Sequence, residues 1–179
     1  MEKDNISIGG KHFKELICEK DIRQRVVFGA KFVNELFNGK NPLFIIVSDG
    51  AFMFAADLLR HISPNMKCGI ASIKIKSYEG TESTGKFIVT GFDMADVSDR
   101  DVVILEDIVD TGKTIGYLRE SAIANNCKSF SVVCAVSKPD ASKERPLFPA
   151  FKIENKFIIG YGLDYNGKGR NLSSIYVEA

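Results

Sequence analysis

Histidine is scarce in this chain, and long apolar runs are missing. Only His12 and His61 occur among 179 residues, which excludes histidine-rich metal sites and leaves proton transfer to a carboxylate. His61 stands beside Arg60 near the end of an expected helix, where a structural role at the C-terminus is the simplest one. No segment approaches the ~20 apolar residues of a membrane span, and the opening MEKDNISIGG has no apolar centre. The four cysteines (Cys18, Cys68, Cys127 and Cys134) form no CxxC pair, so buried free thiols in a reducing cytoplasm are expected. Neither sign of charge dominates: 24 basic against 23 acidic residues leave a net charge of +1, without a long basic run. A cytoplasmic protein with neither membrane nor nucleic acid as partner is the expectation. Hydrophobic residues at 45% and charged residues at 26% are ordinary for a globular domain. The length suffices for one domain with a substantial core.

What is present centres on residues 102–114, VVILEDIVDTGKT. Val102, Val103, Ile104 and Leu105 run without alternation, as in a strand buried on both faces of a parallel sheet. Glu106 and Asp107 follow where such a strand emerges. Asp110, Thr111, Gly112, Lys113 and Thr114 then lead into Ile115, Leu118, Ala122 and Ile123, which share one face of a helix. A small loop rich in hydroxyls, set before a helix N-terminus, suits a phosphate, because unpaired N–H groups and the helix dipole point at it. A Walker A loop needs glycine five positions before Gly112, and Asp107 stands there, so this is not a nucleotide P-loop. Carboxylates beside a phosphate must engage hydroxyls or a cation. Sugar hydroxyls and Mg²⁺ meet both requirements, and the chemistry points to a phosphorylated sugar carrying further phosphate. With histidine so rare, Asp110 is placed as the general base.

The remaining chain reads as strand and helix in alternation. Ile22, Val26, Ala30, Val33 and Phe37 recur at helical spacing, with Asn38-Gly39 as the stop and Pro42 beyond. Leu43 to Val47 is a buried strand, followed by Ser48-Asp49-Gly50 and a helix from Ala51 to Ile62. The Asp49-Gly50 loop falls at the same sheet edge as the acidic pair, where open α/β sheets bind ligands; an ordinary βα turn is the plainer alternative. Ile70 to Lys76 and Phe87 to Thr90 are strands, and the long polar segment between them is expected to be a lid over the site. Phe130 to Val136 is a further strand. Residues 138–149 hold three of the five prolines and read as irregular. Ile175 to Val177 is expected to close a sheet edge. An α/β fold with a mainly parallel twisted sheet flanked by helices follows. Its core is expected over about 40–137, with a small hood formed by the two chain ends, about 1–39 and 138–179.

The run of apolar strand, two acids, two residues and D-T-G-x-T resembles the phosphoribosyl pyrophosphate (PRPP) signature of type I phosphoribosyltransferases. GAFMFAADLLR resembles the pyrophosphate-loop segment of bacterial hypoxanthine phosphoribosyltransferases. Lys138-Pro139, KFIIGYGLDYN from Lys156, and Arg170 follow in matching order, so the likeness covers about Leu16 to Val177. It is strongest to the hypoxanthine-guanine phosphoribosyltransferases. The resemblance implies a Mg²⁺-dependent purine salvage enzyme that converts hypoxanthine or guanine and PRPP to IMP or GMP and pyrophosphate, with positive charge developing on the ribose.

It further implies that residues 110–114 hold the 5′-phosphate and that Glu106 and Asp107 hold ribose hydroxyls, directly or through the metal. Asp110 would accept the N7 proton of the base. Gly50, Arg170 and the Ser77-Tyr78 pair of the lid would contact pyrophosphate. Phe157 would stack on the purine, the Ile158 backbone would read its edge, Lys138 would donate to the 6-oxo group, and Asp164 would join Glu106 and Asp107 as a metal ligand. An aromatic face suits a flat heterocycle, and a lysine donor suits an oxo group while opposing adenine's amino group. Relatives are homodimers or homotetramers. Many carry a basic residue where this chain has Asp49, which puts the pyrophosphate contact there in question. The alternatives are a xanthine-preferring enzyme and a non-catalytic PRPP-sensing regulator.

Overall fold

A computed structural model describes residues 5–77, 87–139 and 142–179. In chain order its elements are β1 (Asn5–Ile8), β2 (Lys11–Ile17), α1 (Glu19–Leu36), β3 (Leu43–Ser48), α2 (Phe52–Leu59), β4 (Gly69–Ser77), β5 (Phe87–Thr90), β6 (Asp101–Val109), α3 (Lys113–Ala124), β7 (Ser129–Ser137), β8 (Phe148–Lys152), β9 (Ile158–Ile159) and β10 (Ile175–Glu178). A short 3₁₀ turn, Met94–Val97, precedes β6.

Six strands form the main sheet in the order β5-β4-β3-β6-β7-β8. All neighbours are parallel except the β4–β5 pair. The unalternated apolar run in β6 follows from covering both faces. Val103 and Leu105 pack with Ile22, Val26 and Val33 of α1 and with Phe54 and Leu58 of α2. Val102 and Ile104 pack on the other face with Ile115, Leu118 and Ala122 of α3. A strand at the centre of such a sheet has no solvent face, so no polar residue interrupts it until its C-terminal end.

Both chain ends build a second, antiparallel sheet in the order β1-β2-β10-β9, with Phe13, Ile159 and Tyr176 at its own small core. Its composition differs from the expected division at 39 and 138. The buried face of α1 belongs to the main core, and β8 pairs in parallel with β7. The smaller sheet therefore takes only the hairpin before α1 and the two strands after residue 157. The expected irregular stretch 138–149 ends in a strand instead: β8 begins at Phe148, and it carries Pro149 at the sheet edge, where proline is tolerated. Nor does β10 close an edge: it lies between β2 and β9.

Candidate active site

β6 carries its acidic pair to the C-terminal edge of the main sheet. Glu106 is buried, and its Oε2 has no hydrogen-bond partner among the described residues. Burial, then the adjacent Asp107 charge, raises its pKa well above the ordinary 4.5. Asp107 is also raised by burial, opposed by the Ile108 N–H that donates to its Oδ1 at 2.7 Å and by the Arg170 charge. Among the described residues no cation is closely paired with these two adjacent acids at the sheet edge, a costly arrangement that a ligand or ion would relieve.

The loop beyond β6 turns at Gly112, whose φ of +78° sits just before the first turn of α3. A Cβ there would meet Ser142 Oγ at 2.4 Å and Glu144 Cγ at 2.9 Å, so only glycine fits both the backbone and the space. Glu144 is in turn held by Arg119 of α3 at 2.7 Å. Residues 110–114 line a recess of about 210 Å³ together with Glu106. The first turn of α3 borders this recess, with the Lys113 N–H donating to Thr111 Oγ1 at 3.5 Å, and a helix N-terminus is the arrangement that binds anions.

The recess adjoins a cavity of about 400 Å³ between the two sheets. Gly50, Glu106, Asp107, Asp110, Thr114, Lys138, Phe157, Ile158, Asp164 and Arg170 all line it, although they come from four separated stretches of chain. Ser48 and Phe87 join them. Lys138, at the end of β7, is buried; its ammonium bonds Asp110 Oδ2 at 3.0 Å and Asn155 Oδ1 at 3.2 Å. Phe157 is 44% exposed, with its ring edge-on to Tyr165. Arg170 bonds Asp164 at 2.6 Å and the Gly162 carbonyl at 2.7 Å, while Asp164 Oδ2 accepts from the Gly167 N–H at 2.7 Å. Both Asp164 oxygens are thereby engaged. Among the described residues no group of three or more His, Cys, Asp or Glu side chains converges as a metal cage.

The two sheets meet backbone to backbone below this cavity. A Cβ on Gly50 would lie 1.7 Å from Asp107 Oδ2, and one on Gly162 would lie 2.0 Å from the Gly50 carbonyl. Asp49, joined to Ser48 by a cis peptide, turns its carboxylate to Lys74 Nζ on β4 at 2.9 Å. Thr111, Gly112 and Lys113 line the recess rather than the cavity. Tyr78 and the rest of the expected lid, 78–86, lie outside the described residues; Ser77 is placed by its backbone alone, opposite Phe87. Asn155, Lys74, Ser142 and Glu144 were not foreseen. Each is a polar residue in no motif, and its place depends on chain far away in sequence.

The phosphoribosyl transferase domain model matches residues 19–166. The chain belongs to the phosphoribosyltransferase family. It is 36% identical over 169 residues to a hypoxanthine-guanine phosphoribosyltransferase of Bacillus subtilis, covering 92% of each chain. It is 34% identical over 164 residues to a hypoxanthine-guanine-xanthine phosphoribosyltransferase of Tritrichomonas foetus, covering 89% of this chain and 88% of that one. The structure of a hypoxanthine-guanine phosphoribosyltransferase from Bacillus anthracis superposes with a TM-score of 0.84 at 31% identity, covering 93% of this chain and 98% of the other. The chain is thus a phosphoribosyltransferase enzyme and shares the fold of these relatives.

Proposed function

We propose that this phosphoribosyltransferase salvages 6-oxopurines, joining hypoxanthine or guanine to PRPP to give IMP or GMP and pyrophosphate. The observation that carries the choice of base is the buried Lys138 ammonium. It lines the cavity beside Asp110, with Phe157 and Ile158 lining the same space. A lysine has donors only, so it favours an exocyclic oxygen and rejects an amino group. The names of the Bacillus subtilis and Tritrichomonas foetus relatives support the same base class.

In this reading the 110–114 loop holds the 5′-phosphate through backbone N–H groups and the hydroxyls of Thr111 and Thr114. Glu106 and Asp107 take ribose hydroxyls. The Gly50 backbone and Arg170 face the pyrophosphate, with Ser77 and Tyr78 closing over it. Phe157 stacks on the purine and the Ile158 backbone reads its edge. Asp110 accepts the N7 proton as the base attacks, and Lys138 holds the 6-oxo oxygen.

The residues present fit Mg²⁺. Glu106 Oε2 is a buried oxygen without a partner beside a second carboxylate, and Mg²⁺ is commonly held by one or two carboxylates plus substrate phosphates. Glu106 and Asp107 would hold it together with Asp164, which lines the same cavity. Bound there, the ion would stabilise negative charge on the departing pyrophosphate. A cytoplasmic location and a homodimer or homotetramer belong to the same proposal; among the described residues no helix is long and apolar enough to cross a membrane.

The test is product formation with PRPP and Mg²⁺ against hypoxanthine, guanine, xanthine and adenine in turn. Turnover with hypoxanthine or guanine, none with adenine, and loss on chelation are expected. Turnover with adenine would overturn the role of Lys138. PRPP binding without turnover of any base would instead identify a sensor.

A further inference from the structure

Ser48, Asp49 and Gly50 form the turn after β3, and Ser48 and Gly50 line the cavity on either side of Asp49. A carboxylate at this position is unfavourable for a ligand that carries several negative charges, since like charges a few ångströms apart repel. The neighbouring strand supplies the answer. Lys74 is the parallel-register partner of Ser48, and the Ser48 hydroxyl donates to the Ile73 carbonyl at 2.9 Å, which ties the turn to β4. From that position the Lys74 ammonium reaches Asp49 Oδ2 at 2.9 Å. Both side chains are about half exposed, 48% and 56%. An exposed pair of this kind adds little to stability, so its charge matters more than its bond.

We infer that Lys74 is a determinant of PRPP binding: it cancels the Asp49 charge at the mouth of the phosphate site. The inference rests on the reading of this turn as the pyrophosphate loop. It assigns the cation of that loop to a different strand from the loop itself, so the local sequence around Asp49 does not reveal it.

The test is a pair of single variants and their double, read as the KM for PRPP at saturating hypoxanthine. K74A is expected to raise it about tenfold, equivalent to ~1.4 kcal/mol, because Asp49 then repels the ligand. D49N is expected to leave it unchanged or lower it. K74A/D49N is expected to return within about threefold of the wild type, since no carboxylate remains to be cancelled. The KM for hypoxanthine should not move, and thermal melting checks that each variant folds. A structural clasp would behave differently: both single variants would raise the KM alike and the double would give no rescue. That pattern, or an unchanged KM in K74A and in K74Q, would overturn the inference while leaving the enzyme reading intact. A wild-type protein that neither turns over nor binds PRPP would overturn both.

Discussion

Lys138 Nζ lies 3.0 Å from Asp110 Oδ2, and the lysine side chain is 7% exposed against 44% for the aspartate. An ammonium has three donors. Among the described residues two are taken, by Asp110 and by Asn155 Oδ1, which leaves the third for the cavity that Lys138 lines. The residue proposed to select the base and the residue proposed to take its proton are thus one hydrogen-bonded unit.

Asp110→Asn keeps the shape of this unit and removes its negative charge. If Asp110 is the general base, kcat should fall by about 10²–10⁴, with the KM for PRPP within a few-fold of the wild type. Steady-state kinetics on the folded variant check this. Full turnover would remove Asp110 from the role. Lys138→Gln, by contrast, should raise the KM for hypoxanthine about 10- to 100-fold and admit adenine, because an amide presents both a donor and an acceptor.

Glu106 and Asp107 set a pH dependence. Burial raises both pKa values in the folded protein, so as pH rises the unfolded chain releases these protons first. Native stability contributed by the pair is complete only below the ordinary values of 3.8 for Asp107 and 4.5 for Glu106, and is lost as pH rises through the elevated ones. The ligand-free protein should therefore melt lower as pH climbs above the ordinary carboxylate range. Glu106→Gln removes the larger part of this slope. It should melt a few degrees higher at the alkaline end of the series, given ~1–2 kcal/mol relieved and roughly 2–4 °C per kcal/mol, and match the wild type in acid. Calorimetry across pH measures both slopes, and parallel curves would contradict the argument.

Gly162 shows how the two sheets are clasped. Its φ is +99°, and a Cβ would stand 2.0 Å from the Gly50 carbonyl. Gly162→Ala should cost about 2–4 kcal/mol, roughly 5–15 °C in Tm, from strain and crowding together. It should also weaken PRPP binding, because Gly50 would be pushed against Asp107. Gly167→Ala is the control: its φ of +76° is similarly left-handed, but no atom lies within 4 Å of the added carbon. It should cost only the backbone term of ~1–2 kcal/mol.

The main sheet was legible because its signal is local. Leu43–Val47 and Val102–Leu105 have no polar partner to hide, and the glycine-containing loops after them mark the C-terminal edge. The small sheet was not: β1 and β2 bury few residues of their own, and β10 gains its central place only through pairing with β2 and β9. The same contrast holds in the site. Glu106 to Thr114 can be read from one stretch of chain. Asn155 cannot, since its bond to Lys138 spans 17 residues, and the Lys74–Asp49 pair spans 25. Nothing in a single stretch records such pairs.

Phe157 offers the cleanest separation of binding from folding. Its ring is 44% exposed, and its aromatic contacts, Phe13 at 6.4 Å and Tyr165 at 5.8 Å between centroids, are edge or tilted rather than stacked. Lys11 Nζ lies over the ring, 5.8 Å from its centroid, and the exposed part of the ring lines the cavity. Stacking of a base on an aromatic side chain is worth ~1–3 kcal/mol by alanine substitution, so Phe157→Ala should raise the KM for hypoxanthine about 5- to 150-fold. Because the ring is already partly in solvent, the melting temperature should fall by far less than for a core phenylalanine such as Phe44, which is fully buried. Phe157→Tyr keeps the ring and should restore most of the affinity. Equal losses of base affinity in the alanine and tyrosine variants would show that the ring does not stack on the purine.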